Sequence, residues 1–327
     1  MDKNTLLRIL SNYNISSVSV YEEIDSSKGD DYRLNVIVDK KYVLRVNNPV
    51  ITEERLESIE RLCGRYRDIG VLAPHLFKNI YGKYLTPYEN HVCYISEYLD
   101  YQLEKEVSDN FDHTQVRQEV LKSIGRLSKK YSDIYLSPIN SMWSLIDLAP
   151  LDIEVDEKQE NFNMLVSKLK RLGKFRLAKK AIAFNEEKRK RIKSVYKNLP
   201  RCVIQGDLND SNILVHENHF VGLIDFNMAG TEVNINHFCA ETNGFMEKED
   251  FKSKSAADFF DQWILKQNEE LNIILSEYEM NVLEQSVIED YRSICLISQY
   301  SNVMDYLYFL KHDKAKTLEL LELILSR

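Results

Sequence analysis

No stretch of this chain reaches the roughly 18 consecutive apolar residues that a membrane-spanning helix needs, so a membrane partner is not expected. Met1-Asp2-Lys3-Asn4 leads into a short amphipathic run without the apolar centre of a signal peptide, and a cytoplasmic location is expected. Cysteine is sparse: Cys63, Cys93, Cys202, Cys239 and Cys295 are odd in number, far apart, and include no Cys-x-x-Cys pair. That usage suits a reducing compartment and argues against a zinc site. Internal repeats and low-complexity tracts are missing, and nothing in the sequence sets an oligomeric state. Positive charge is in deficit, with a net charge of −8, which argues against nucleic acid as a bulk partner. What remains, at 44% hydrophobic and 29% charged residues over 327 positions, is a soluble globular chain of one or two domains. One segment departs from the average. Between Lys168 and Lys197, 13 Lys or Arg stand against Glu186 and Glu187 alone. Such a run is either the solvated face of helices or a cationic wall for an anionic substrate or partner.

The richest stretch runs Val203-Ile204-Gln205-Gly206-Asp207-Leu208-Asn209-Asp210-Ser211-Asn212-Ile213-Leu214-Val215, then Val221-Gly222-Leu223-Ile224-Asp225-Phe226-Asn227. Two β-branched and aliphatic runs joined by His216-Glu217-Asn218-His219 predict a hairpin with a polar tip. Asn212 opens its first strand and Asp225 closes its second, so Asp207, Asn212 and Asp225 come to the same end. Oxygen ligands of this kind suit a hard cation such as Mg²⁺, which takes one or two groups from protein and the rest from phosphate and water. A further carboxylate nearby can orient or deprotonate a hydroxyl. His216 and His219 lie in the tip and read as a solvent loop, not a metal pair.

This pair of motifs resembles the catalytic and metal-binding segment of the aminoglycoside phosphotransferase and choline kinase group, the small-molecule branch of the protein-kinase-like fold. Members usually read His-Gly-Asp-Leu-x-x-x-Asn and then Ile-Asp-Trp or Ile-Asp-Phe. The resemblance implies that Asp207 is the catalytic base and that Asn212 and Asp225 hold Mg²⁺ between the phosphates of a nucleoside triphosphate, ATP or GTP. The implied reaction is transfer of the γ-phosphate to a hydroxyl of a small molecule. The implied fold is α+β and bilobal: residues 1–98 form a nucleotide-binding lobe with a five-stranded antiparallel sheet and a helix, and residues 99–327 form a mostly helical lobe carrying the catalytic hairpin.

The order of the remaining elements agrees with that fold. Asp2 to Asn12 has apolar residues at helical spacing, and strands are expected over Val18 to Ile24, Tyr32 to Val38 and Lys41 to Val46. The loop Asp25-Ser26-Ser27-Lys28-Gly29-Asp30-Asp31 sits where the family covers the phosphates. With one glycine and three aspartates it is a poor cradle by composition, so its backbone N–H groups, or Ser27 with Ser26 and Lys28, are the candidate contacts. Arg45 stands where members carry a strand-borne Lys or Arg that touches phosphate, and Arg holds phosphate bidentately. A helix over Thr52 to Arg67, capped by Thr52, should supply a glutamate to Arg45. Glu57 is preferred, with Glu54 and Glu60 left open. Further strands near Phe77, Tyr84-Leu85 and Val92 to Ile95 lead to Ser96-Glu97-Tyr98-Leu99-Asp100, which resembles the hinge where adenine meets the main chain of Ser96 and Tyr98.

Beyond it, helices are expected over Phe111 to Tyr131, Lys158 to Leu172, Glu186 to Asn198, Phe251 to Glu277, Glu279 to Leu310 and Lys314 to Leu325. Trp143, Leu145, Ile146 and Leu148 read as core. Tyr291, Tyr300, Tyr306, Tyr308 and Phe309 read as packing, with some of them available to an organic cation or sugar.

The chain departs from the family at three places. Gln205 replaces the usual histidine, although an amide can brace the loop as an imidazole does. Asn227 stands where protein kinases have glycine. Asn236 occupies the place of an acid that supports the catalytic loop, which puts that support in doubt. After Asp225 no long activation segment ends in an Ala-Pro-Glu-like anchor, so a small-molecule acceptor is expected and a protein is not. The competing reading is a kinase-like module that binds nucleotide or a partner without turnover, fed by Gln205, Asn236 and the glycine-poor loop.

Overall fold

Helix formation begins where the sequence first offers a cap. In the computed structural model, which describes residues 1–108, 110–244 and 247–327, the Asp2 carboxylate accepts from the Asn4 and Thr5 amides and opens α1 (Lys3–Ser11). Strands β1 (Tyr21–Asp25), β2 (Arg33–Val38) and β3 (Tyr42–Asn47) follow. Thr52 Oγ1 accepts from the Arg55 amide and caps α2 (Glu53–Asp68). Next come β4 (Leu76–Phe77), β5 (Thr86–Tyr88), β6 (His91–Glu97) and β7 (Gln102–Leu103), then α3 (His113–Tyr131). Helices α4 (Glu157–Arg171) and α5 (Phe175–Val195) precede β8 (Arg201–Ile204), β9 (Ile213–His216), β10 (His219–Leu223) and β11 (Gly230–Val233). The chain closes with α6 (Asn234–Glu241), α7 (Lys248–Ser253), α8 (Ala256–Leu275), α9 (Val282–Ser298), α10 (Tyr300–His312) and α11 (Lys314–Ile324).

These elements form two compact units, Met1–Val116 with Asp207–Asn227, and Arg117–Gly206 with Met228–Arg327. The first is built on a six-stranded antiparallel sheet in the order β1-β2-β3-β6-β4, with β5 folded back on β6. The sheet thus carries one short strand more than the expected five. Period-two alternation sorts its faces. Leu34, Val36, Val38, Leu44, Val46, Cys93 and Ile95 form one buried layer with Leu6, Ile9, Leu10 and Tyr13 of and beyond α1. Arg45 and Tyr94, out of phase with that layer, are register partners across β3 and β6 and point to the other face. The same unit holds a second, three-stranded sheet, β10-β9-β7. The hairpin of β9 and β10 turns through Glu217 and Asn218, both at positive φ (50° and 64°), the left-handed conformation a tight two-residue turn requires.

The second unit is mainly helical. A hydrophobic core in it gathers Phe162, Leu165 and Leu169 of α4, Leu177, Ala181 and Phe184 of α5, and Phe259 and Trp263 of α8. Leu296 and Ile297 of α9, Val303 and Phe309 of α10, and Leu320 and Ile324 of α11 complete it. A two-stranded antiparallel pair, β8 with β11, stands beside the helices in this unit. Among the described residues, no helix is long and apolar enough to cross a membrane.

Three segments differ from expectation. Helix α5 begins at Phe175, not Glu186, because Leu177, Ala178, Ala181 and Phe184 continue the buried stripe toward the N-terminus across a very basic surface. The run expected over Glu279 to Leu310 is broken at Gln299, whose ψ of 136° is extended, so that α9 and α10 are separate helices. The run from Phe251 is likewise interrupted where Ser255, with its hydroxyl accepting from the Asp258 amide, starts α8 afresh.

Candidate active site

The hairpin places its oxygen-bearing residues at one end through backbone bonds. The Ile224 amide donates to the Asn212 carbonyl (2.9 Å), which sets the start of β9 beside the residue before Asp225. Asn212, buried, turns its Nδ2 onto Asp207, donating to the carbonyl and to Oδ2, both at 2.9 Å. Asn209 Nδ2 donates to the other carboxylate oxygen of Asp207 at 2.7 Å, while the Asn209 amide returns to the Asp207 carbonyl at 2.9 Å. The carboxylate is therefore fixed in orientation by two side-chain amides. Because Asn212 spends its amide hydrogens on Asp207, its Oδ1 lone pairs face away from that contact. Asp225 adopts φ 54°, a left-handed conformation that aspartate tolerates better than most residues. The Asn227 amide donates to Asp225 Oδ1 at 3.3 Å and closes the turn after it.

The backbone under this end is tied to the chain after α2. The Leu72 amide donates to the Val221 carbonyl and the Leu223 amide to the Leu72 carbonyl, at 2.9 and 2.8 Å. Gly222 is required at that crossing, since a Cβ there would lie 2.6 Å from the Leu72 carbonyl oxygen. Helix α2 reaches the same segment. Arg55 Nη2 donates to the Asn227 carbonyl at 2.8 Å, and the Tyr66 and Phe226 rings meet edge to face at 5.7 Å.

Arg45 lies on the sheet face opposite α1. Burial by itself would depress its guanidinium, but the Tyr94 hydroxyl, to which it is hydrogen-bonded, and the Asp225 carboxylate hold it above the ordinary arginine value. Tyr94 is pushed up in turn by burial, against the pull of Arg45. The anion set against Arg45 is thus Asp225. The expected helix glutamate is not brought to it, and among the described residues none forms an ion pair with Arg45. Glu57 is exposed, as is Glu54. Glu60 is taken by Arg67 (2.6 Å) and the Leu76 amide (2.7 Å), and Glu53 accepts from the amides of Tyr84 and Leu85.

The other expected nucleotide contacts lie in regular structure. Ser96 is in the ladder of β6, paired with Val43 on one side and Leu76 on the other. The Tyr98 amide donates to the Lys41 carbonyl at 2.9 Å. Ser27 Oγ accepts from the Arg33 amide, and Lys28 and Asp31 exchange both backbone bonds around Gly29 (φ 57°), so this loop is a closed hairpin turn.

The residue before Asp207 is held from the second unit, to which it belongs. Trp143 Nε1 donates to the Gly206 carbonyl at 2.5 Å. Gly206 has φ 83°, and a Cβ on it would stand 2.6 Å from the Met228 carbonyl oxygen, so no other residue fits. Trp143, read as core from the sequence, is a loop contact. Its own carbonyl accepts from Lys158 Nζ (2.5 Å) and Asn236 Nδ2 (3.0 Å). Asn236 therefore does touch the machinery behind the loop, and the acid of that region is Glu232, two per cent exposed. Nothing in Gly230-Thr231-Glu232-Val233 marked it in sequence, because a lone Glu in a strand usually faces solvent.

Part of the positive charge of α4 and α5 is paired with acids in place. Arg189 pairs bidentately with Asp156 (2.6 and 2.8 Å), Arg191 and Lys188 with Asp290, and Lys180 with Glu322. Lys170, Lys190 and Lys193 remain along a groove of about 590 Å³ between the two helices. Of the aromatic group near the C-terminus, Tyr291, Tyr306 and Phe309 are fully buried packing, and only Tyr300 and Tyr308 are exposed.

A family model, that of the phosphotransferase enzyme family, matches residues 24–232, from the first strand through the hairpin to the buried Glu232. The chain belongs to that family. Among solved structures, this phosphotransferase resembles an amicoumacin kinase, solved with AMP-PNP and Ca²⁺, at a TM-score of 0.55 and 11% identity, over 100% of this chain and 94% of that one. It also resembles a spectinomycin phosphotransferase, solved with ADP and spectinomycin, at 0.50 and 12% identity, over 99% and 98% of the two chains. At these identities the likeness is one of fold. Among curated proteins no sequence matches. The phosphotransferase fold is therefore a protein-kinase-like α+β architecture, with antiparallel sheet in its N-terminal part and helices in its C-terminal part.

Proposed function

We propose that this phosphotransferase moves the γ-phosphate of ATP or GTP onto a hydroxyl of a small molecule, with Asp207 as the catalytic base. The observation that carries the reading is the bond from Asn212 to Asp207. One side-chain amide fixes the base and leaves an oxygen of its own for a cation. The donor set, Asn212 Oδ1 with the Asp225 carboxylate, is all oxygen and fits Mg²⁺, which would neutralise charge on the phosphates when bound. The rest is the work of the chain. Asp207, oriented by Asn209 and Asn212, accepts the hydrogen bond and then the proton of the acceptor hydroxyl. Arg45, already turned toward Asp225 and kept protonated, presents its fork to the phosphate oxygens. The Ser27 hydroxyl, hydrogen-bonded to the Asp25 carboxylate, would exchange that partner for a phosphate oxygen. With the Tyr98 amide spent on Lys41, the Tyr98 carbonyl is the main-chain group set to meet a base.

The complete set Asp207, Asn212 and Asp225 favours catalysis over an inert module, as do the amicoumacin kinase and spectinomycin phosphotransferase of the same fold, each solved in complex with a nucleotide. The test is nucleotide consumption against a panel of sugars, amino-alcohols, choline and aminoglycosides, with ATP and GTP in parallel and with or without Mg²⁺. Acceptor-dependent release of diphosphate nucleotide that requires Mg²⁺ is expected. Nucleotide binding without turnover on any acceptor would favour the inert module.

A further inference from the structure

A carboxylate that must take a proton from a bound hydroxyl has to be placed within a fraction of an ångström, and a shift of about 1 Å costs on the order of a hundredfold in rate. Asp207 is attached to a glycine at positive φ, an inherently soft joint. Something other than local conformational preference must therefore hold the Gly206–Asp207 peptide.

The second unit contains such a device. The indole N–H of Trp143 donates to the Gly206 carbonyl, the oxygen of the very peptide that leads into Asp207. Trp143 is itself gripped at both ends of its backbone. Its amide donates to Ser141 Oγ at 3.0 Å, and its carbonyl accepts from Lys158 Nζ and Asn236 Nδ2. These groups converge on Glu232. Its Oε2 accepts from Ser141 Oγ at 2.7 Å and Ser144 Oγ at 3.4 Å, its Oε1 accepts from the Val233 amide at 2.8 Å, and Asn236 and Lys158 supply a further hydrogen bond and the compensating charge. Lys158 and Glu232 are one and two per cent exposed. Burial pushes the Glu232 carboxyl up, against the Lys158 charge and the hydrogen bonds it accepts, and a buried polar network satisfied in this way specifies one arrangement more than it adds stability.

We infer that Trp143 is a positioning residue for the reaction, a brace through which the buried Glu232 and Lys158 fix the peptide preceding Asp207. The inference rests on the assignment of Asp207 as base, and it transfers to Glu232, by way of an indole, the loop support that an acid at the Asn236 position would have supplied. Glu232 and Lys158 touch neither nucleotide nor acceptor in this scheme.

The test is made on the full chain with Trp143→Phe, which keeps a ring and removes the donor. Amide hydrogen exchange is followed in the peptide 205–212, whose Asn209 and Asn212 amides are hydrogen-bonded within the loop. At least tenfold faster exchange there, with exchange in α9 unchanged, is expected. Where turnover is measurable, kcat should fall ten- to a hundredfold with the nucleotide KM within twofold of the parent. Unchanged loop exchange would overturn the brace whether or not an acceptor is known. Absent turnover in the parent would count against the base assignment alone. If Trp143→Phe fails to fold, the double variant Lys158→Met, Glu232→Gln removes both charges together, and the same loosening of 205–212 is expected; a loop as protected as the parent's would again overturn the inference.

Discussion

Replacing Gly206 by alanine separates two costs that glycine avoids at that position. The first is conformational, since φ 83° lies where an L-residue is penalised by roughly 1–2 kcal/mol. The second is steric. The added Cβ would sit 2.6 Å from the Met228 carbonyl oxygen and 3.2 Å from its carbon, both backbone atoms, and relieving such overpacking costs about 1–3 kcal/mol more. Gly173 supplies the control within the same unit, because its φ is 72° and nothing lies within 4 Å of its notional Cβ. Gly173→Ala should therefore cost about 1–2 kcal/mol, and Gly206→Ala about 2–5 kcal/mol. Both tryptophans, Trp143 and Trp263, belong to that unit, so urea unfolding followed by tryptophan fluorescence reports on it directly. Gly206→Ala should also weaken the Trp143 bond and lower turnover at least tenfold, while Gly173→Ala should not. Equal midpoints for the two variants, with equal slopes, would refute the steric part of the reasoning.

Arg45→Met should weaken nucleotide binding ten- to a hundredfold, about 1.4–2.8 kcal/mol, as read by titration calorimetry, and unaltered affinity would remove Arg45 from the phosphate site. Asp156→Ala strands Arg189, whose bidentate partner it is, and opens the cap of α4; a loss of about 3–5 kcal/mol in urea unfolding is expected. His237 is fully buried, neither ring nitrogen has a hydrogen-bond partner among the described residues, and burial pushes its pKa down to about 3. Between that value and 6.5 the unfolded chain binds a proton that the folded chain refuses, so this contribution is complete above pH 6.5 and shrinks as pH falls. The loss at pH 5 is about 2 kcal/mol. His237→Leu should flatten that part of the stability profile, and an unchanged pH dependence would show that His237 is protonated in the fold.

Local chemistry made much of this molecule legible. Thr52 caps the helix its side chain announced, and Glu217-Asn218 forms the turn its polar composition called for. The hairpin end could be read because its three residues are set by short spacings along one supersecondary unit. What escaped depends on pairing between distant segments. Tyr94 meets Arg45 only through the register of β3 and β6, and Glu57 faces solvent although it sits on a helix rich in acids. Glu232 was invisible for the same reason, since its partners Ser141 and Lys158 come from loops and helices some 70 to 90 residues earlier. The extended residue Gln299 breaks the run among Ser298, Tyr300, Ser301 and Asn302, which are weak helix formers but include no Gly or Pro to mark the stop.

The central claim is that Asp207 accepts the proton of a hydroxyl that receives phosphate. The most direct measurement is nucleotide turnover by Asp207→Asn beside the parent chain, with nucleotide binding followed in both. The asparagine keeps the shape and one of the two side-chain bonds, from Asn209 or from Asn212, since its own NH2 accepts neither, and it is no base. Binding within a few-fold of the parent and turnover lowered by two to four orders of magnitude are expected. Turnover equal to that of the parent would contradict the account.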